Sequence, residues 1–255
     1  MRGLFCYDEF MEEKNCRIVR DYTADAPHFW DGFWDNNDGL GAGNCDPDVS
    51  SRAMQNDQQK AWSKQLPNGE LFNLEISPTD YLVWKDMRFG SDSIVASFRW
   101  RKNRELLESV RDSMSDYRAF VEDFLRRTYT IGGEIIFPKH RNSINQNRGT
   151  NPLICDRFDI TLECIRRYYV GEESPLSKIL ETDKQFFDLF VDFRGYVDFF
   201  ALNDLVSADY GSIEFWDDWK DFGDNVIPAT PDTYLKFLEN ELAFVEKRNQ
   251  ILVSQ

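Results

Sequence analysis

One loop of the sequence combines cationic and neutral hydrogen-bond donors without any nearby acid. The chain has 45 acidic residues, yet none lies between Glu134 and Asp156. Within this gap lie a histidine and three permanently charged side chains: Lys139, His140, Arg141 and Arg148. Guanidinium groups bind phosphate or carboxylate through paired hydrogen bonds, and neutral side chains such as that of Asn145 add donors that need no counter-ion. The loop therefore predicts an anion-binding site in which Asn145 fixes the orientation of the ligand.

A group of carboxylates follows this loop along the chain. Asp159 and Glu163 lie four residues apart and therefore share one face of a helix, and Asp156 lies one turn earlier. If the site is catalytic, we expect these carboxylates or His140 to act as acid or base, with Arg157 as a further ligand-binding residue. Three carboxylates on one face would also suit Mg²⁺ or Mn²⁺. Because acids at a helix start are common for capping and dipole reasons alone, the sequence assigns no metal ligand.

The same residues also allow a purely structural interpretation. In that case the loop is an exposed connection whose arginines pair with acids of the C-terminal helices. Arg157, Arg166 and Arg167 would then be ordinary partners of the neighbouring carboxylates. The sequence alone leaves both alternatives open.

Several well-known site motifs are absent from the sequence. The glycines of Gly39-Leu40-Gly41-Ala42-Gly43 precede no Lys-Ser/Thr pair, which argues against a phosphate-binding loop. The calcium pattern that starts at Asp35 fails at Gly39 and again at Asp46, where glutamate is needed. The cysteines number 5 and include no CxxC pair, which argues against a disulfide framework and a zinc site. The cofactor, if there is one, stays unknown.

The hydrophobic pattern predicts an α+β fold, with a small sheet of short strands in the N-terminal half and a mainly helical C-terminal half that covers it. We expect a turn at residues 89–92 and strands at 71–76, 81–84, 94–100 and 134–137. Helical spacing is found at 102–128, 156–169, 174 onward, 185–206 and 234–248. Residues 1–60, which are rich in Gly, Asn and Asp, are predicted to be an irregular segment packed on the body of a single domain spanning residues 1–255.

The chain is strongly acidic, with a formal net charge of −15. Residues 171–255 include 18 acids and 7 Lys or Arg, so this part alone has a net charge of −11. Such a surface repels nucleic acid and acidic membranes, which disfavours both as partners. No window approaches the ~18 apolar residues of a transmembrane helix, and the N-terminus lacks a signal-peptide pattern. We therefore expect a cytoplasmic protein.

Short segments that match one protein family are spread along the chain. They include Trp62-Ser63-Lys64, 66–70, 91–94, Gly132-Gly133, 136–138, 143–146, Arg148-Gly149 and 193–200, and the longest covers 156–159 and 161–169. On these residues the chain resembles an uncharacterised bacterial protein family, a domain of unknown function, mainly over residues 60–250. The resemblance implies one conserved domain in a bacterial or phage cytoplasmic protein. It implies no activity and no catalytic role for any residue.

Two hypotheses from different functional classes follow. In the first, the protein binds or processes a phosphate-bearing small molecule or nucleotide in a cleft around residues 139–163. In the second, it is a non-catalytic interaction module that binds a protein partner through its acidic helical half or its aromatic N-terminal segment. The sequence does not decide whether the protein is an enzyme.

Overall fold

A four-stranded antiparallel sheet lies in the N-terminal half of the protein, with its strands in sequence order. The computed structural model describes residues 19–26, 28–34, 38–41, 52–79, 81–95 and 104–254. The strands are β1 (Glu75–Ile76), β2 (Leu82–Trp84), β3 (Met87–Ser93) and β4 (Glu134–Pro138). A mainly helical C-terminal half follows, so the prediction of an α+β fold is confirmed.

The helices of the described residues differ widely in length. They are α1 (Tyr22–Asp25), α2 (Phe29–Trp34), α3 (Arg52–Trp62), α4 (Arg104–Ser113), α5 (Tyr117–Thr128), α6 (Ile144–Thr150), α7 (Phe158–Val170), α8 (Ser177–Thr182), α9 (Lys184–Phe187), α10 (Phe193–Phe199) and α11 (Pro231–Ser254). Gly171 ends α7 in the left-handed conformation that favours glycine. Proline suits the first position of α11. It has no N–H group, and an N–H at this position would have no acceptor within the helix.

The predicted turn at residues 89–92 is wrong, because these residues lie inside β3 and pair with β4. The polar side chains that suggested a turn have partners from other elements. Gln58 Nε2 donates to Ser91 Oγ at 2.6 Å, and Arg148 Nη1 donates to Asp92 Oδ2 at 2.5 Å. Of the strand predicted at 94–100, residues 94 and 95 follow β3 and residues 96–100 lie outside the described residues.

Two predicted helices are interrupted. The described part of the predicted helix 102–128, residues 104–128, forms α4 and α5, because Asp116 accepts a hydrogen bond from the Ala119 amide at 3.0 Å and starts a new helix. The segment 185–206 is divided at Val191, whose φ is 71°, and Asp192 then caps α10 through the Gly195 amide at 2.7 Å. The break therefore precedes Gly195, the residue of this segment with the lowest helix propensity.

Aromatic side chains join the sheet to the C-terminal helices. The ring of Phe72 lies 5.4 Å from that of Phe89 on β3 and 5.8 Å from that of Phe199 on α10. Phe190 packs against Phe199 and Phe200 at 5.1 and 5.3 Å. These rings are buried, so their contacts contribute hydrophobic burial as well as the orientation-dependent attraction of aromatic pairs.

Part of the segment predicted to be irregular is helical, since α3 occupies residues 52–62. Its side chains Met54 and Trp62 are buried. Upstream, Phe29 packs on Tyr129 at 5.7 Å, and Trp34 Nε1 donates to Glu122 Oε1 at 3.1 Å. The calcium pattern lies largely outside the described residues. The single-domain organisation stays a prediction.

Candidate functional site

Arg148 is fully buried and links β3 to the segment that precedes α7. Its Nη1 atom donates to Asp92 Oδ2 at 2.5 Å and to the Ser93 carbonyl at 2.9 Å. Its Nη2 atom donates to the Asp156 carbonyl at 2.6 Å, and Nε lies 3.3 Å from Asp156 Oδ1. The left-handed backbone of Cys155 and Asp156, with φ of 48° and 65°, is part of this arrangement. The Arg148 guanidinium is therefore enclosed by internal acceptors.

Arg157 forms a second internal network. Its guanidinium contacts both carboxylate oxygens of Asp159, and it donates to Asp217 Oδ1 and Oδ2 at 2.8 Å each. The Val226 carbonyl is a further acceptor at 2.6 Å. Burial lowers the pKa of Arg157, but Asp159 and Asp217 more than offset this effect, so the pKa is raised. Charge and hydrogen bonds thus hold the loop around residue 217 against the start of α7.

Asp159 and Glu163 are both occupied by arginine. Asp159 has no measurable exposure and also accepts hydrogen bonds from the amides of Ile160 and Trp216, at 2.9 and 3.2 Å. Glu163 is buried and accepts from Nε of Arg166 and of Arg167, each at 2.7 Å. The two carboxylates predicted on one helix face therefore belong to separate ion-pair networks.

His140 lies at the surface and bonds to a buried carboxylate. Its Nε2 atom is 2.7 Å from Asp183 Oδ1, and its Nδ1 atom is 2.8 Å from the Arg141 carbonyl. Because both ring nitrogens face acceptors, the doubly protonated imidazolium fits this position best. The Arg141 carbonyl, opposed by burial and assisted by Asp183, raises the pKa of His140. The pKa of Asp183 is also raised, since burial outweighs the hydrogen bond from His140.

Three further cations form an exposed group, which we call the cationic patch: Arg88, Lys139 and Arg141. The Lys139 amide donates to the Arg88 carbonyl at 2.8 Å, so these residues continue the β3–β4 register and lie opposite each other. The stem of Lys139 crosses Gly90, where an added methyl group would lie 3.0 Å from Lys139 Cδ. Within the described part of the chain, no acid forms an ion pair with any of the three.

Asn145 faces the sheet. Residues 144–150, predicted as part of a polar loop, form α6. Asn145 Nδ2 donates to the Ser91 carbonyl at 3.2 Å, whereas its Oδ1 and the Ser143 hydroxyl are buried without a hydrogen-bond partner in the part of the chain that the structure describes. This arrangement uses the Asn145 amide to attach α6 to β3.

The predicted site residues thus separate into two groups. Lys139, His140 and Arg141 are exposed together, whereas Asn145 faces the sheet and the remaining candidates pair internally: Arg148, Asp156, Arg157, Asp159 and Glu163. Sequence reasoning missed Asp183, which lies 43 residues from His140, and Arg88, which comes beside Lys139 only through strand pairing. Local spacing contains no signal for either contact.

Surface clefts occur elsewhere on the molecule. One of about 630 Å³ lies between α4 and the loop before α11, one of about 680 Å³ lies beside α3, and one of about 430 Å³ lies between residues 64–67 and α10. None of these three is lined by residues 139–148. The described ranges contain no cluster of three or more His, Cys, Asp or Glu suited to a metal ion.

The structure defines the protein as an α+β protein with a small antiparallel sheet, buried arginine–carboxylate networks and an exposed group of cations. The chain belongs to a family of unknown function, DUF6994, which matches residues 21–252. Neither the curated proteins nor the solved structures include a match. Among the described helices, none is both long and apolar enough to cross a membrane.

Proposed function

We propose that the protein binds a phosphate-bearing small molecule or nucleotide at the cationic patch. The observation that carries the proposal is the placement of Arg88 opposite Lys139, with Arg141 two residues further along the chain. Their side chains are exposed and have no ion pair with any acid that the structure describes. The proposed anion site therefore lies on the surface where β3 and β4 pair, and not in a cleft as the sequence predicts.

Electrostatics makes this arrangement unusual for this protein. Like charges directly opposite each other on neighbouring strands destabilise a sheet. The chain has 45 acids, 15 more than its Lys and Arg combined, so partners for surface cations are abundant. The buried arginines Arg148 and Arg157 contact carboxylates, whereas no described acid forms an ion pair with the cations of the patch. An anionic ligand would remove the repulsion between Arg88 and Lys139.

The residue types of the patch suit phosphate. Arg88 and Arg141 each offer a planar group with paired donors, and Lys139 adds a compact charge with three donors. His140 contributes positive charge but no free N–H, because Asp183 and the Arg141 carbonyl accept from both ring nitrogens. Asp183 is an acid next to His140. Because its carboxylate pairs with the imidazolium, it repels an anion at the patch less than a free carboxylate would. The geometry supports binding and assigns no catalytic step.

The test is titration calorimetry with inorganic phosphate, AMP and ATP against the wild-type protein and two variants. We expect Arg88→Ala and Arg141→Ala each to weaken binding by about tenfold or more, because a hydrogen bond to a charged group contributes about 1.5–3 kcal/mol. Binding should also weaken as salt increases. The matched control is Lys220→Ala, which removes an exposed cation outside the patch.

Equal binding by the Arg88→Ala, Arg141→Ala and Lys220→Ala variants would contradict the proposal, as would the absence of binding to all three probes. The interaction-module hypothesis makes a different prediction. It requires a stoichiometric protein partner whose binding depends on acids of residues 171–255 and is unaffected by Arg141→Ala.

A further inference from the structure

The cleft of about 430 Å³ between residues 64–67 and α10 contains a lysine in an unusual environment. Lys64 lines this groove together with Gln65, Arg194, Phe199 and two acids, Asp198 and Asp192, the second of which accepts a hydrogen bond from the Gly195 amide at 2.7 Å. None of these residues belongs to the cationic patch. The groove is therefore a second site, independent of the anion binding proposed above.

Two aromatic rings lie near the Lys64 amine, and a second cation contacts one of these rings. Its Nζ atom lies 4.9 Å from the Phe199 ring centre and 5.4 Å from the Trp62 ring centre. The same indole also contacts a guanidinium, because Arg248 Cζ lies 5.3 Å from its centre. Two cationic groups therefore share the Trp62 ring, and Lys64 is the one that reaches the groove.

Arg248 keeps its charge in a position where no carboxylate of the described residues pairs with it directly. It is fully buried, and its guanidinium donates to the carbonyls of Gly132, Glu134 and Phe200 at 2.7–3.0 Å. Its Nη2 atom is buried without an acceptor among the described residues. Burial lowers the pKa of Arg248 to about 9, so its guanidinium still keeps its proton at neutral pH. The repulsion between the two cations therefore favours loss of the proton from Lys64.

Burial and the charge of Arg248 lower the pKa of Lys64 to about 8. The neighbouring aromatic faces favour the ammonium form and oppose this change in part. A substantial fraction of the amine is therefore neutral near neutral pH, unlike an ordinary lysine, whose pKa is about 10.4. Only the neutral amine has the lone pair that attacks carbon.

We propose that Lys64 is a nucleophilic amine that condenses with a small carbonyl compound bearing a carboxylate, such as a 2-oxo acid or an aldehyde acid. The nitrogen lone pair attacks the carbonyl carbon, and the carbon–oxygen double bond becomes a hydroxyl. The two amine hydrogens then leave with this oxygen as water, and a carbon–nitrogen double bond forms. A lysine beside a second cation is a known setting for this imine chemistry.

Arg194 supplies the positive charge that selects a carboxylate. It lies in the same groove, and its Nε atom is 3.6 Å from Asp198 Oδ2, beyond the usual length of a charge-assisted hydrogen bond. Its guanidinium also stacks on Tyr210 at 5.0 Å, which restricts its orientation. Its donors are thus not saturated by Asp198, and Gln65 adds a neutral amide on the same groove.

The test traps the imine on the full-length protein. The protein is incubated at pH 7.5 with glyoxylate or propanal and sodium cyanoborohydride, which reduces the imine to a stable secondary amine. Peptide mass spectrometry then gives the rate at each lysine. We expect Lys64 to react more than about tenfold faster than Lys60, an exposed lysine of α3 that pairs with Asp57, because a lowered pKa leaves more of the Lys64 amine with a free lone pair at this pH.

Two further measurements separate nucleophilicity from simple access. The rate at Lys64 should rise with pH to a half-maximum near 8, and Arg194→Gln should slow the reaction with glyoxylate while leaving that with propanal unchanged. Lys64→Arg should remove this modification and leave that of Lys60 intact. If the Lys64→Arg variant does not fold, the comparison of the rates at Lys64 and Lys60 in the wild-type protein tests the proposal by itself. Equal rates at Lys64 and Lys60, or a pH dependence typical of an ordinary lysine, would overturn the proposal.

Discussion

Two sets of cations lie close together along the chain and have opposite environments. Lys139 and Arg141 are exposed and have no ion pair within the described ranges, whereas Arg148 and Arg157 are buried and contact carboxylates. The buried set joins segments that are far apart in sequence. Among the described residues, no acid pairs with the exposed set, which leaves its charge available to a ligand. Residue type alone therefore does not distinguish a structural arginine from a binding arginine.

The largest expected difference between the two sets concerns Arg157. We expect Arg157→Ala to lower the free energy of unfolding by about 3–5 kcal/mol, because it leaves Asp159 buried without its counter-ion. Denaturation by urea, followed by circular dichroism, measures this change. A loss below about 1 kcal/mol would be typical of an ordinary surface ion pair. The buried and exposed cations would then not differ in their contribution to stability.

Arg148 should show a smaller effect of the same kind. We expect Arg148→Ala to cost about 2–3 kcal/mol, since the side chains of Asp92 and Asp156 keep 15% and 22% of their exposure and remain partly hydrated. The double variant with Asp92→Asn should be less destabilised than the sum of the two single changes. Additive losses would show that Arg148 and Asp92 do not interact energetically. Phosphate affinity at the cationic patch should be unchanged in the folded Arg148→Ala protein.

The pair of His140 and Asp183 lies between the two sets, since one partner is exposed and the other buried. The pKa of His140 is raised in the folded state, so its contribution is complete below the unfolded value and is lost as pH rises through the folded value. We expect wild-type stability to fall relative to His140→Gln from about pH 6.5 upward. The change should be below about 1 kcal/mol because the ring is partly exposed. Stability curves that stay parallel between pH 6 and 9 would contradict this prediction.

Arg141 should show the smallest effect on stability. We expect Arg141→Ala to change the free energy of unfolding by no more than about 0.5 kcal/mol, because the side chain is exposed and has no ion-pair partner among the described residues. The same urea measurement checks this value. A loss comparable to that of Arg148→Ala would show that Arg141 has a structural role and would weaken the proposed anion site.

Much of the fold follows from local sequence patterns. The β-branched and aromatic residues of β2 and β4, the glycine after α7 and the proline that starts α11 are each local signals, and the structure contains the corresponding elements. At residues 89–92 the local pattern predicts the wrong element. Their composition is typical of a turn, but Gln58 and Arg148 satisfy Ser91 and Asp92 inside a strand. Tertiary hydrogen bonds override turn preference at this position.

The candidate site was predicted only in part. An acid-free run identified the exposed cations, because a local excess of charge is visible in a linear sequence. The fate of Arg148 and Arg157 was left open between a ligand site and structural pairing. Their partners Asp92 and Asp217 lie 56 and 60 residues away, and local spacing cannot place them. Strand register likewise brings Arg88 to Lys139.

The sequence by itself determined the fold class, the negative net charge and the position of a donor-rich segment, because composition and periodicity are local properties. Only the tertiary structure decided which cations of that segment are enclosed by carboxylates and which remain at the surface. It also placed Lys64 and Arg248 on the same indole, although they lie far apart in the chain. The physical reason is that the energy of a charge depends on its burial and its nearest opposite charge, and both are set by long-range packing.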